Sequence, residues 1–173
     1  MTDGTAALVA HIPSLRRYAR ALTGDAWTAD DLVQDTLERA CDKWRLWSAG
    51  TDLRAWLFTL MHNLFVNQVR RAPQHRASVD VDELAERLPA ADALPDRRID
   101  LQRCLLQLPD EQRAVLLLVA LEDLSYDEVA RILGVPAGTV MSRLSRARSR
   151  LRQLMEGAGP APAPARAPLR RLK

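Results

Sequence analysis

The sequence is poor in the residues that most enzymes and disulfide-stabilised domains depend on. Only two of its 173 residues are cysteine, three are histidine and seven are glycine. Neither Cys41 nor Cys104 belongs to a CxxC motif, and both fall within apolar helical patterns, so we expect two reduced core thiols. The three histidines are isolated from one another in the sequence, so we expect no metal site and no cofactor.

Other absences exclude further classes of protein. No stretch of eighteen consecutive apolar residues occurs, so we expect no membrane insertion. The first fifteen residues, MTDGTAALVAHIPSL, lack the basic start and long apolar core of a signal peptide, which favours a cytoplasmic location. There is no nucleophile–base set, no pair of buried carboxylates and no glycine-rich phosphate loop, so we do not expect an enzyme.

Charge is abundant and unevenly distributed. The chain has 25 lysines and arginines against 22 acidic residues, a net charge of +3. Acidic residues dominate the middle, from Asp80 to Asp100, whereas arginines are concentrated towards the C-terminus. This segregation indicates one basic surface and a polyanionic partner.

The stretch from Ser125 to Leu151 predicts two helices joined by a tight turn. Ser125 and Glu128 form a capping box, and Gly134 is typical of the left-handed residue that ends a helix. Pro136 can open the second helix. That helix has an apolar face of Val140, Leu144, Ala147 and Leu151, and a hydroxyl- and guanidinium-rich face of Thr139, Ser142, Arg143, Arg146 and Arg150. A helix with this second face fits a DNA major groove, although such a face can also be merely solvated.

Three helices are predicted in the first 71 residues. The first begins near Pro13 and is closed by Gly24, and the second is capped by Thr28. The second helix carries an outward polar row that on composition alone indicates only solubility. The third, Leu53 to Arg71, has the most regular apolar face in the chain. Its far face is rich in asparagine and arginine, which can read bases and bind phosphate.

Composition then predicts the organisation of the chain. Prolines and acidic residues interrupt the periodicity after residue 72, with one short helix expected over Val81 to Leu88. A Pro–Ala-rich segment follows Glu156. We therefore predict an all-α protein of two small helical bundles, residues 5–72 and 99–155, joined by a flexible acidic linker over 73–98 and followed by a disordered tail over 156–173.

Three motifs in order resemble the extracytoplasmic-function (ECF) sigma factors. DDLVQDTLERA at 30–40 is similar to the core-binding helix of sigma region 2, and LRAWLFTLMHNLFVNQVRR at 53–71 to the helix that melts and reads the −10 element. LPDEQRAVLLLVALEDLSYDEVARILGVPAGTVMSRLSRARSRL at 108–151 is similar to region 4. The resemblance covers about residues 5–155 and makes residues 5–72 region 2 and residues 99–155 region 4.

The resemblance implies roles for three groups of residues. Core RNA polymerase would be bound by Asp31, Gln34, Asp35, Glu38 and Arg39. The −10 DNA would be bound by Trp47, Arg54, Asn63, Asn67, Arg70 and Arg71. The −35 DNA would be bound by Thr139, Ser142, Arg143, Arg146 and Arg150. Met141 stands where relatives often carry lysine or arginine, which leaves the preferred −35 bases open.

The partners implied are the clamp helices and flap of core RNA polymerase, promoter DNA, and a separate anti-sigma factor. The free protein would be a monomer, or a heterodimer with the anti-sigma factor. The main alternative is a stand-alone helix-turn-helix regulator, but such a protein needs a dimer interface, and no spare helix for one is evident. A second alternative is a helical adaptor that never contacts DNA, which the arginine-rich face disfavours.

Overall fold

The computed structural model describes residues 2–47, 51–71 and 96–157, and all regular structure in them is helical. The N-terminal half contains α1 (Thr2–Thr23), α2 (Ala26–Asp42), a 3₁₀ turn (Trp44–Leu46) and α3 (Leu53–Arg71). The C-terminal half contains α4 (Asp96–Leu106), α5 (Asp110–Ala120), α6 (Tyr126–Leu133) and α7 (Ala137–Gly157). The all-α prediction of two helical parts is confirmed. The short helix expected over Val81 to Leu88, most of the linker and residues 158–173 lie outside the described residues.

The N-terminal half is built by packing α2 against both α1 and α3. The apolar stripes of the three helices meet around Leu15, Leu32, Leu57 and Met61, all fully buried. Helix α3 has the predicted bounds. Its fully buried residues include Phe58, outside the predicted apolar face, whereas Leu53, Trp56 and Leu64 of that face are only partly buried. Phe58 packs edge-on against Tyr18 of α1, with ring centroids 5.3 Å apart, and α3 also contacts α2 and α6.

Two helix starts in this half differ from the prediction. Helix α1 runs through Pro13 instead of beginning near it, because a proline inside a helix removes only one backbone donor and kinks are tolerated at an exposed turn. Helix α2 is capped by Asp25, not by Thr28. The Asp25 carboxylate accepts hydrogen bonds from the Thr28 backbone N–H (2.8 Å) and from the Thr28 hydroxyl (2.6 Å).

The cysteine prediction is half wrong. Cys104 is buried, and burial raises the pKa of its thiol, as expected for a core residue. Cys41 is exposed, because it follows the buried Ala40 on the outer side of α2. Both thiols are free.

The C-terminal half begins earlier than predicted, with α4 starting at Asp96 inside the segment assigned to the linker. Its helix-turn-helix has the predicted local structure. The Ser125–Glu128 capping box is complete, and Gly134 takes the left-handed conformation at φ 64°. Helix α7 then buries Val140, Leu144 and Ala147 against α5 and α6.

The two halves pack against each other around one continuous core. Helix α1 contacts α4 and α5, and α3 contacts α6; these contacts are called the junction below. At one point of the junction, Gly24 approaches Leu106 so closely that an added Cβ would lie 2.5 Å from Leu106 Cδ1. The Gln102 side chain also donates a hydrogen bond across the junction to the Ala21 carbonyl (3.2 Å).

Candidate polymerase and nucleic-acid interfaces

The polar row predicted on α2 forms one exposed face. All five of its residues are exposed: Asp31, Gln34, Asp35, Glu38 and Arg39. Gln34 Nε2 donates to Glu38 Oε1 (3.0 Å), one turn further along. Beside this face, α1 and α2 border an open groove of about 610 Å³ with apolar side chains of Ile12, Val33 and Leu37. An acidic rim beside an apolar groove can receive a helix with basic and apolar side chains.

The far face of α3 presents amides and guanidiniums to solvent. Asn63 and Asn67 are exposed one turn apart, followed by the exposed Arg70 and Arg71 at the C-terminus of the helix. The two arginines also lie where the helix dipole favours positive charge. This geometry suits contacts to both base edges and phosphates along one strand.

Trp47 is packed rather than free. Its ring lies 5.0 Å from the Trp44 ring, centroid to centroid, and it is only partly exposed. The Trp44 indole in turn lies against Gly4 of α1, where a Cβ would come within 2.8 Å. The two tryptophans therefore form a tilted ring pair at the end of α2, with an interplanar angle of 36°. The loop residues 48–50 that follow lie outside the described residues.

Arg54 is placed differently from the other residues predicted for −10 DNA. Its guanidinium lies at the junction, where Nη2 pairs with Glu122 Oε2 at 2.9 Å. It also lies over the Phe58 ring at 5.7 Å. In this arrangement of the halves, Arg54 is occupied by a carboxylate of the C-terminal half.

Helix α7 presents the predicted polar face. Arg146 and Arg150 are exposed, and Thr139 and Ser142 are partly exposed. The Ser142 hydroxyl donates to the Thr139 carbonyl (3.1 Å), which leaves its oxygen as an acceptor. Met141 is 54% exposed on the same helix. An exposed thioether among hydroxyls and guanidiniums suits contact with an apolar base edge such as the thymine methyl group.

Arg143 lies in a cleft between the two halves. Its Nη2 pairs with Glu111 Oε2 at 2.8 Å. The opposite wall is formed by α3, including His62, Asn63, Asn67 and Arg70. Burial, and secondarily the nearby Arg143 charge, lower the pKa of His62 to about 4. Residues predicted for −10 DNA and for −35 DNA therefore border the same cleft.

Each half of the chain matches a known protein family. Residues 8–62 match the family model described as the sigma2 domain of PhyR, and residues 98–151 match that of sigma-70 region 4. The chain is 37% identical over 151 residues to the ECF RNA polymerase sigma factor EcfG of Rhodopseudomonas palustris, covering 86% of this chain and 82% of the relative. The chain belongs to the ECF sigma factors.

Solved structures agree with this family. The sigma factor RpoE of Bartonella quintana, in complex with the anti-sigma factor NepR, aligns with a TM-score of 0.73 and 35% identity, over 90% of this sigma factor and 98% of that chain. CnrH, in complex with the cytosolic domain of CnrY, aligns with a TM-score of 0.66 and 26% identity, over 89% and 88% of the two chains.

Three charged or polar residues of this sigma factor have structural roles that the sequence analysis missed. Glu122 is fully buried at the junction, Arg113 is buried within the C-terminal half, and Tyr18 is fully buried beside Phe58. Burial raises the pKa of Tyr18 well above its usual value. No local signal in the sequence marks the burial of Glu122, because its ion-pair partners lie on other elements. Arg113 pairs with Asp110, three residues before it on α5, and donates to a carbonyl at the end of α4. For most of the chain, the polar faces predicted from helical periodicity are the exposed ones.

Two further observations concern metal-binding groups and membrane-spanning helices. Among the described residues, no group of three or more histidine, cysteine and acidic side chains is arranged to hold a metal ion. None of the helices in that part of the chain is long and apolar enough to cross a membrane.

Proposed function

We propose that this sigma factor binds core RNA polymerase and directs it to specific promoters. The α2 face binds the polymerase, α3 and the Trp44–Trp47 pair bind single-stranded −10 DNA, and α7 binds the −35 major groove. The observation that carries this proposal is that three exposed faces of matching chemistry occur in family order on one chain. No bond is made or broken by the protein itself, and its activity is to position polymerase in the cytoplasm, where the enzyme acts.

Run-off transcription with purified core polymerase and a promoter library tests the proposal directly. We expect promoter-specific transcripts with the sigma factor and none with core polymerase alone. Tight homodimeric binding to promoter duplex, with no response of core polymerase, would instead support the stand-alone helix-turn-helix regulator.

Two substitutions separate the proposed roles. Arg146→Ala should reduce initiation at promoters with a −35 element about tenfold while leaving polymerase binding unchanged, since a base-edge or phosphate contact is worth about 1–3 kcal/mol. The matched control is Arg148→Ala, another exposed arginine of α7 outside the predicted set.

Asp35→Arg should have the opposite profile. It replaces an exposed carboxylate of the α2 face by a guanidinium, so polymerase binding should fall while binding of region 4 to −35 duplex is retained. Glu156→Arg, an equal change of charge at the exposed end of α7, is the control. Pull-down of core polymerase measures the difference.

The proposal includes control by a separate anti-sigma factor. Support comes from RpoE and CnrH, which are described in complexes with NepR and with CnrY. Equimolar addition of the cognate anti-sigma factor should abolish run-off transcripts and give a heterodimer in light scattering. A heterodimer that still supports full transcription would contradict this part of the proposal.

A second candidate is favoured by the family model of the first half, which is that of PhyR. Proteins of that name are described as anti-anti-sigma factors, and their similarity to this chain, at 21% identity, shows the fold alone. A protein of that kind binds an anti-sigma factor and does not need polymerase. Binding of the anti-sigma factor without any binding of core polymerase would favour this candidate.

A further inference from the structure

The feature that carries a further inference is Glu122, in the segment between α5 and α6. Its side chain is 0% exposed, and both of its ion-pair partners come from the other half. Arg17 of α1 donates from Nε to Oε1 (3.1 Å) and from Nη2 to Oε2 (2.9 Å), the bidentate geometry of a strong charged pair. Arg54 of α3 donates from Nη2 to Oε2 (2.9 Å) and to the Glu122 carbonyl (2.5 Å).

This arrangement makes the burial of Glu122 depend on the closed position of the halves. A buried carboxylate is tolerated only when paired, and both partners that the described part of the chain provides, Arg17 and Arg54, lie across the junction. The attraction is partly offset by the cost of taking the Glu122 carboxylate out of water. Such a contact is strong enough to select one arrangement and weak enough to be reversed. When the halves separate, the carboxylate and both guanidiniums return to solvent.

Binding to a promoter requires that separation. The −10 and −35 elements lie about 25 base pairs apart, which is about 85 Å along B-DNA at 3.4 Å per base pair. Halves joined by a 2.9 Å contact between Arg54 and Glu122 cannot reach both elements. The 24 residues between α3 and α4 span at most about 80 to 90 Å when fully extended, so the chain length permits the open arrangement.

We propose that Glu122 is an intramolecular latch that keeps the sigma factor closed. Its carboxylate occupies Arg17 and Arg54, and so holds the cleft in which Arg143 faces Asn63, Asn67 and Arg70. Release of the latch frees Arg54 for DNA and separates the two reading surfaces. The role of opening rests on the proposed function, whereas the closure itself can be measured without polymerase.

The first test measures the distance between the halves in the full-length protein. A donor and acceptor dye are attached to the exposed Cys41 of α2 and to a Ser149→Cys substitution on α7, while the buried Cys104 is replaced by alanine. Glu122→Gln should lower the energy-transfer efficiency. Asp123→Asn, which removes one carboxylate from the next and exposed position, should leave it unchanged. Equal efficiency in Glu122→Gln and in the unsubstituted protein would overturn the latch.

A second variant keeps the test decisive if Glu122→Gln does not fold. Arg17 has a side chain that is 52% exposed, so Arg17→Gln should fold and yet lose the bidentate pair. It should also lower the transfer efficiency, and Arg17→Lys, which keeps the charge without the fork geometry, should lower it less. If Arg17→Gln stays as closed as the unsubstituted protein, the latch is wrong whatever Glu122→Gln does.

The second test measures DNA binding by the free protein. Breaking the pair should shift the balance between closed and open forms at least about tenfold, and apparent affinity rises with the fraction of open protein. With a fluorescent promoter DNA that carries both the −35 and the −10 element, selected by run-off transcription, Glu122→Gln should bind about tenfold more tightly than Asp123→Asn. Unchanged affinity despite lower energy transfer would overturn the inhibitory role. Absence of any run-off product with core polymerase would overturn the proposed function instead, and the energy-transfer result would stand.

Discussion

In the N-terminal half, α1–α3 bury no charged side chain among the residues described, whereas in the C-terminal half α4–α7 bury both Arg113 and Glu122. The two buried charges are stabilised in different ways. Arg113 pairs with Asp110 and donates to a backbone carbonyl of its own half, whereas both ion-pair partners that the described residues provide for Glu122 lie in the other half. One charge therefore stabilises the fold of region 4, and the other stabilises its position against region 2. Substitutions can measure separately the stability of region 4 and its position against region 2.

The largest effect is expected for Arg113→Met. The Arg113 guanidinium pairs with Asp110 and donates to backbone carbonyls at the end of α4, those of Leu105, Leu106 and Leu108. Methionine preserves the packing volume but leaves these carbonyls without their donor. We expect the free energy of unfolding to fall by about 3 to 5 kcal/mol, measured by urea denaturation.

The control for Arg113→Met is Arg148→Met on the exposed side of α7, with an expected change within about 0.5 kcal/mol. If Arg113→Met were neutral, the buried guanidinium would be replaceable by an apolar side chain, and the claim that it stabilises region 4 would fail.

The next largest loss of stability is expected on substitution of two glycines that both have positive φ. Gly24 (φ 75°) lies against Leu106 at the junction, whereas Gly134 (φ 64°) has no atom within 4 Å of an added Cβ. Gly134→Ala should cost about 1 kcal/mol for the left-handed backbone alone. Gly24→Ala should cost about 2 to 3 kcal/mol, because the methyl group also displaces Leu106.

The difference between the two alanine variants measures the contact between the halves. Gly24→Ala should also lower the energy transfer between Cys41 and Ser149→Cys, whereas Gly134→Ala should not. Equal destabilisation by the two substitutions would mean that the approach of Gly24 to Leu106 contributes nothing to the junction.

These substitutions also show which parts of the structure could be predicted from the sequence. Helix α3, the capping box and the left-handed Gly134 depend on periodicity and on residues one turn apart, and all three were predicted. The cap at Asp25 was missed because two residues three positions apart, Asp25 and Thr28, both have the right chemistry and only the backbone decides between them. The burial of Glu122 depends on contacts between the halves, and Phe58 packs against Tyr18 of α1; no local pattern encodes either contact.

The residues of the candidate sites also divide into those whose position could be predicted from the sequence and those whose position could not. The exposed faces of α2, α3 and α7 could be predicted because they are the complements of apolar faces. The roles assigned to their residues came from the resemblance to the ECF sigma factors and stay predictions. Arg54 and Arg143 could not be located from sequence alone, because each is paired with an acid on another element.

A third prediction concerns pH and His62, which lies on α3 and borders the cleft beside Arg143 and Glu111. The pKa of His62 falls from 6.5 to about 4 on folding. Between these values the unfolded chain binds the extra proton, so stability is greatest above pH 6.5 and is lost as the pH falls towards 4. We expect a loss of about 2 kcal/mol between pH 7 and pH 4.5 in urea denaturation.

His62→Gln should remove most of this pH dependence, whereas His11→Gln, on α1 away from the cleft, should preserve it. The pKa of His62 should also depend on the position of the two halves, because the cleft that buries His62 exists only when the halves are closed. In the Glu122→Gln variant, His62 should return towards its ordinary pKa, which NMR titration of the imidazole protons measures. A His62 pKa that stays near 4 in the opened variant would place the cause within α3 rather than in the cleft.

The smallest effect is expected at Ser125, three residues beyond Glu122. Its hydroxyl oxygen accepts from the Glu128 N–H (3.3 Å), and the Glu128 carboxylate accepts from the Ser125 backbone N–H (2.7 Å). Ser125→Ala should cost about 1 kcal/mol in thermal or urea unfolding. It should also reduce acid sensitivity, because hydrogen bonds from Ser125 lower the pKa of Glu128 and their contribution is lost as the pH falls below 4.5. Because the hydrogen bonds of this cap all join Ser125 and Glu128, energy transfer between the halves should not change. A change would show that the start of α6 and the Glu122 latch form one cooperative unit, so that region 4 could not be loosened locally without also opening the junction.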